Sequence, residues 1–188
     1  MSDRPRFPHA QAMAVAEEIL AVLAPGCVKA VIAGSLRRQK PTVGDIEILY
    51  VPAYRAGTLI GLFGYQGDPV NSASMEIDLL ILKGSLAKRL NAKGREMYGE
   101  KNKFLVHVAS GIPVDLFATT ELCWSNYLVC RTGSSETNVR ICNAAIAHGW
   151  KWNPYDAGFS RGNELYTCHS EEEVFAFVGL PYLKPEER

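Results

Sequence analysis

One short stretch constrains this chain more than any other: Gly34-Ser35-Leu36-Arg37-Arg38, followed by Gly44-Asp45-Ile46-Glu47-Ile48-Leu49. The apolar run Val28 to Ala33 before it predicts a strand. Ser35 to Lys40 predicts one or two turns of helix, closed by Pro41, which has no N–H to continue it. A helix starting there points free backbone N–H groups at an anion. Arg38, with Arg37 beside it, adds charge-assisted hydrogen bonds suited to phosphate oxygens. Ile46 to Val51 predicts a second strand, and alternate residues of a strand share a face, so Asp45 and Glu47 project together. Two hard oxygen ligands on one side suit Mg²⁺, which is commonly held by a couple of carboxylates plus substrate phosphates. The stretch outlines a site for phosphoryl or nucleotidyl transfer. Either half by itself also fits a turn between strands with a solvated acidic edge.

Two further acids compete to join this pair. Asp78 lies in Ile77-Asp78-Leu79-Leu80 and Asp115 in Val114-Asp115-Leu116-Phe117, and both runs read as strands, over Glu76 to Leu82 and Val114 to Ala118. The residues alone leave both open. The string from Gly34 to Leu49 resembles the signature of the DNA polymerase beta-like nucleotidyltransferase superfamily, and more narrowly the palm of family X DNA polymerases. Trp124, Thr132-Gly133-Ser134 and Asn138 resemble the family's segment for the sugar and base of the incoming nucleotide. Glu171-Glu172-Glu173-Val174-Phe175, Gly179-Leu180-Pro181-Tyr182 and Pro185-Glu186 resemble its C-terminal end. The resemblance runs through nearly the whole chain and is faintest from Pro52 to Lys103.

The resemblance implies an α/β (α+β) fold: a nucleotidyltransferase palm with a mixed sheet over 1–120, and a small, mostly helical thumb-type domain over 121–188. It implies nucleotidyl transfer, chiefly gap-filling addition of dNTPs to a DNA 3′-hydroxyl with release of pyrophosphate. The alternative is a transferase of the same fold that acts without template or on RNA, a protein or a small molecule. By resemblance, Asp45 and Glu47 would bridge two Mg²⁺ ions (Mn²⁺ being the other ion to consider), while Asp115 would ligate only the catalytic one. The order of motifs after Asp115 favours it over Asp78 as the third ligand. Gly34, Ser35 and Arg38 would hold the triphosphate, and Cys130, Arg131, Gly133 and Asn138 the sugar and base. The partners implied are a nucleoside triphosphate and gapped or primer-template DNA, with the chain acting as a monomer.

The chain departs from the family at several positions. Glu47 stands where family X usually has Asp. Pro113 occupies the position two before the third carboxylate, where a basic or amide side chain is common. Cys130-Arg131 replaces the tyrosine-phenylalanine pair that discriminates against ribonucleotides, and Cys142 stands where an arginine often meets the template. Before Val28 there is no room for a lyase domain or helix-hairpin-helix grips, which points to palm-plus-thumb members and distributive synthesis.

At 188 residues, 47% hydrophobic and 21% charged, the chain has globular values and enough length for a real core. No apolar run approaches the roughly 20 residues that span a bilayer. Met1 to Arg6 is not followed by a signal-peptide core, so a cytoplasmic location is expected. Five scattered cysteines without a C-x-x-C pair, and four histidines at unrelated positions, suggest neither a zinc site nor a disulfide framework. Cys123 and Cys130, at i and i+7, fit helix-face packing. Net charge is zero, unusual for a protein that holds a polyanion. Lys83, Lys88, Arg89, Lys93, Arg95, Lys101 and Lys103 form a basic segment that reads either as a flank for a nucleic-acid backbone or as a solvated helix and loop. Helices are expected at Ala10 to Leu23 (with Met13, Ala16, Ile19, Leu20 and Leu23 on one face), Leu122 to Cys130, and Glu136 to His148. A last one would be capped by Ser170. A further strand is expected at Phe104 to Val108, and short strands around the turn at Ser160-Arg161-Gly162-Asn163.

Overall fold

The computed structural model describes residues 5–57, 67–91 and 93–188. Met1 to Arg4, the first part of the Met1 to Arg6 stretch, lie outside them. The first part of the chain runs β1 (Phe7–Pro8), α1 (His9–Leu23), β2 (Cys27–Ile32), the one-turn helix α2 (Gly34–Arg37), β3 (Thr42–Val43) and β4 (Ile46–Pro52). It continues through β5 (Tyr54–Gly57), β6 (Gly67–Asn71), α3 (Ser72–Leu82), β7 (Leu86–Lys88), β8 (Asn102–His107) and β9 (Pro113–Ala118). Five strands form one sheet in the order β2-β4-β9-β8-β7. β4 and β9 are parallel and the other neighbours antiparallel, so the sheet is mixed, as the α/β reading expects.

Period-two alternation decides what each face of this sheet does. Ile46, Ile48 and Tyr50 of β4, with Val114, Leu116 and Ala118 of β9, enter the core formed with Ala12, Ala16 and Ile19 of α1 and Ala73, Ile77 and Leu80 of α3. Leu49 and Phe117 point the other way, against Tyr127 and Leu128 of α4 (Trp124–Thr132). Asp45, Glu47 and Asp115 keep the same parity as Leu49 and Phe117. The acids therefore share the face toward α4, just beyond its apolar cover.

Two expectations about helices are corrected. The run Glu76 to Leu82, expected as a strand, is the C-terminal part of α3. Asn71 caps that helix, its Oδ1 accepting from Ser74 N at 3.0 Å, and Ala73, Ile77 and Leu80 are buried at helical spacing. A short apolar run cannot by itself separate a strand from a buried helix; the cap a few residues upstream does. In α1 the buried stripe is Ala12, Val15, Ala16, Ile19 and Leu23, with Met13 and Leu20 at its margin.

The rest of the chain adds α5 (Ser135–Ala147), β10 (Lys151–Trp152), β11 (Gly158–Arg161), β12 (Glu164–Thr167) and α6 (Glu171–Phe177) around a second core of Val129, Ile141, Trp152, Phe159, Val174 and Phe175. Ser134 and Ser170 cap α5 and α6 by accepting from Thr137 N and Glu173 N. Such caps contribute about 1 kcal/mol each. Cys123 precedes α4 while Cys130 lies within it, so the two do not share a helix face as expected.

A buried ion cluster ties the two parts together. Arg37 meets Glu171 with two hydrogen bonds, of 2.9 and 2.6 Å, and donates to Thr132 Oγ1 at 2.6 Å. Arg188 donates to the same Glu171 at 2.9 Å. Arg37, expected beside the phosphates, is instead consumed by this clasp. Among the described residues no helix is long and apolar enough to cross a membrane.

Candidate active site

The register of the parallel pair sets the site. Ile46 lies opposite Val114 and Glu47 opposite Asp115. Asp45 precedes Glu47 by two residues on the same face, and both line a cleft of about 750 Å³ shared with Ser35, Arg38, Arg6 and Arg89. Asp78 is not part of it: it lies on the exposed face of α3 and accepts from the Tyr98 hydroxyl.

Gly34 opens α2 with φ +62°, and a Cβ there would sit 2.3 Å from Glu47 Oε2. Only glycine allows this turn to lie against the carboxylate. Ala33 N donates to Glu47 O at 2.8 Å, so the turn and β4 are bonded together. Arg38 reaches across to donate to the Thr132 carbonyl, while its buried Nε has no protein partner. A Cβ on Gly133 would come within 2.9 Å of Arg38 Nη1. Gly133 is thus a packing requirement for the arginine of the cradle.

The carboxylates are short of positive charge. Burial, then repulsion from Asp45 and Asp115, pushes Glu47 up to about 7 against the pull of Arg131 and Arg38. Burial also raises Asp115, although Arg89 donates to it and opposes the shift. Arg131 lies 3.9 Å from Glu47 and stacks over the Phe117 ring at 3.5 Å. Hard, mutually repelling oxygen donors on adjacent strands are the donor chemistry that a divalent cation satisfies. Among the described residues, no three of His, Cys, Asp or Glu are already drawn together as a metal cluster. Two of the acids face arginines instead.

The residues expected at the sugar and base divide. Arg131 reaches the acidic face. Cys130 and Asn138 meet each other, Asn138 Nδ2 donating to Cys130 O at 2.9 Å and its Oδ1 staying buried without a partner. Neither lines the cleft among the described residues. The basic segment divides: Lys83, Lys93, Arg95 and Lys101 are exposed, as the solvated reading has them, and three others are engaged. Arg89 turns into the cleft, Lys103 is buried, donating to Gly99 O at 2.9 Å, and Lys88 pairs with Glu96 at 2.9 Å. Sequence reasoning missed Arg6. The pairing of Phe7 with Val43 sets it beside Thr42, to which it is hydrogen-bonded, at the cleft. Only that β1–β3 pairing carries the signal.

Residues 127–188 match the DNA polymerase beta thumb family. Over 185 residues the chain is 26% identical to the DNA polymerase/3'-5' exonuclease PolX of Bacillus subtilis (strain 168). That match covers 97% of this chain and 28% of the relative, so the chain spans little more than a quarter of that protein's length. The last third of the chain is thus similar to a DNA polymerase beta thumb, behind a mixed sheet that presents paired acids beside a Gly-Ser turn.

Proposed function

We propose that this chain transfers a nucleoside monophosphate from a nucleoside triphosphate to a DNA 3′-hydroxyl, filling short gaps, with 1–120 as the catalytic palm and 121–188 as the thumb. The observation that carries the reading is Glu47 facing Asp115 across parallel strands, two residues after Asp45, in the cleft that holds Ser35 and Arg38. The family-level likeness is to proteins of nucleotidyl transfer and DNA synthesis.

Asp45, Glu47 and Asp115 would hold Mg²⁺ or Mn²⁺. Such ions, when bound, stabilise the attacking and leaving oxygens of an in-line displacement. The remaining work falls to the chain. Ser35 and Arg38, joined by Arg6, meet the β- and γ-phosphates and neutralise charge on the departing pyrophosphate. Gly34 keeps that cradle against Glu47. The acceptor O3′ bonds to the α-phosphorus as the bond to pyrophosphate breaks, and Arg131, fixed on Phe117, borders the site from the thumb. Cys142 supports the second reading. It packs partly buried against the thumb core where a template-reading arginine would be expected, which favours an acceptor used without template.

Primer extension on a one-nucleotide gapped duplex, against the same primer without template and with each dNTP and rNTP offered singly, tests both. Insertion of only the complementary dNTP is expected. Untemplated addition would move the chain to the second reading, and no addition would remove the polymerase reading. Asp45→Ala and Asp115→Ala should each cost about 10³-fold in rate, the several kcal/mol that a metal site supplies. Asp78→Ala should leave the rate unchanged.

A further inference from the structure

We infer that Arg89 is the positioning residue of Asp115, and that a divalent cation takes this carboxylate only by displacing the Arg89 guanidinium. The inference rests on the reading of Asp115 as a metal ligand given above.

Arg89 directly follows β7, the edge strand, two places from the strand that carries Asp115. Its reach across β8 is fixed at each step. Its backbone N donates to Phe104 O at 3.1 Å, its Nε donates to Leu105 O at 3.0 Å, and its guanidinium lies over the Phe104 ring, 5.0 Å from the centroid. Phe104 is the cross-strand partner of Asp115. The ring therefore guides the planar guanidinium onto the acid, where Nη2 donates to Oδ1. Both side chains are largely out of water, at 26% and 12% exposure. Nothing nearer in sequence offers this contact, because the strand position two before Asp115 is Pro113.

The three acids are thus not equivalent. Among the described residues Asp45 has no ion pair, and Glu47 has only the longer 3.9 Å approach of Arg131. Asp115 alone carries a charge-assisted hydrogen bond, roughly twice as strong as a neutral one. A cation at Asp45 and Glu47 meets no such competitor, whereas one that uses Asp115 Oδ1 has to evict a guanidinium. The Asp115 corner therefore loads second and more weakly. Released from Asp115, Arg89 stays on the cleft wall, held through Nε and the Phe104 ring.

The test is Mn²⁺ uptake by the full chain without nucleotide or DNA, followed by electron paramagnetic resonance of the free ion. Arg89→Gln should bind Mn²⁺ roughly tenfold more tightly, the factor that losing a hydrogen bond to a charged group implies. In an Asp115→Asn background the same substitution should change little, which separates competition at Asp115 from a general loss of positive charge. Arg89→Lys, which keeps charge and packing without the planar fork, should fall between. Unchanged affinity in both Arg89 variants, or an equal gain with and without Asp115, overturns the inference and leaves the metal site standing. No Mn²⁺ uptake by the parent chain overturns the metal reading itself, and this inference with it.

Discussion

Glu171 and Glu47 are both acids taken mostly out of water, and their surroundings are opposite. Glu171 sits between Arg37 and Arg188, with hydrogen bonds of 2.6 to 2.9 Å on both oxygens. Burial would raise its pKa, but the two arginines outweigh burial and hold it below the ordinary carboxylate value. Glu47 has two acids for neighbours and one arginine at 3.9 Å, and rises to about 7. The first arrangement is complete within the protein and joins its two parts. The second is left in want of positive charge at a cleft, which is what the proposed cation site calls for.

The largest effect should come from breaking the complete arrangement. Glu171→Gln leaves Arg37 and Arg188 buried without their counter-ion, and removing one partner of such a cluster costs about 3–5 kcal/mol. Urea unfolding should read this as a lower midpoint with little change of slope. A loss below about 1 kcal/mol would mean that the clasp is dispensable.

Glu47 should answer with the opposite sign. Its proton is held more tightly in the folded state, at about 7 against 4.5, so its contribution is full below pH 4.5 and is lost as pH rises through 7. Without divalent cations, Glu47→Gln should therefore be more stable than the parent at pH 8, by on the order of 2 kcal/mol, and nearly equal to it at pH 4. Glu171, with its lowered pKa, contributes above its unfolded value and is lost as pH falls through the folded one. The parent chain, free of metal, should accordingly be most stable in mildly acidic buffer. Stability that climbs steadily to pH 8 would contradict the account of Glu47.

What the residues revealed before the fold was seen followed distance along the chain. Asp45, Glu47 and Leu49 alternate at and into one strand, so their common face was legible, as were Asp115 in its own strand and the Ser170 cap of α6. The run from Glu76 to Leu82 misled because its periodicity is ambiguous over so few residues, and because Asn71, which starts the helix, lies outside it. Arg89 and Asp115 are 26 residues apart, Arg6 and Thr42 36, and Arg37 and Glu171 134. No local pattern encodes pairs at those separations. They exist because the sheet order and the packing of α6 against α4 bring them together. The acids of the candidate site, with Arg38 and Arg131, were thus readable, and the turn of Arg6 and Arg89 into the cleft was not.

Exposure is the remaining variable in the contrast between Glu171 and Glu47, and Lys88 isolates it. Its ammonium is 2.9 Å from Glu96, as short as the bonds of the Glu171 cluster, yet both side chains are about half exposed, at 42% and 51%. It also lies over the Tyr98 ring, 4.3 Å from the centroid. Water and salt screen such a pair, and ordering two flexible side chains offsets most of the attraction, so Lys88→Ala should cost no more than about 0.5 kcal/mol. The urea midpoint should move by a small fraction of the Glu171→Gln shift and should become insensitive to added salt. A loss comparable to that of Glu171→Gln would show that bond length, and not removal from water, separates the acids that hold this protein together from those that wait for a ligand.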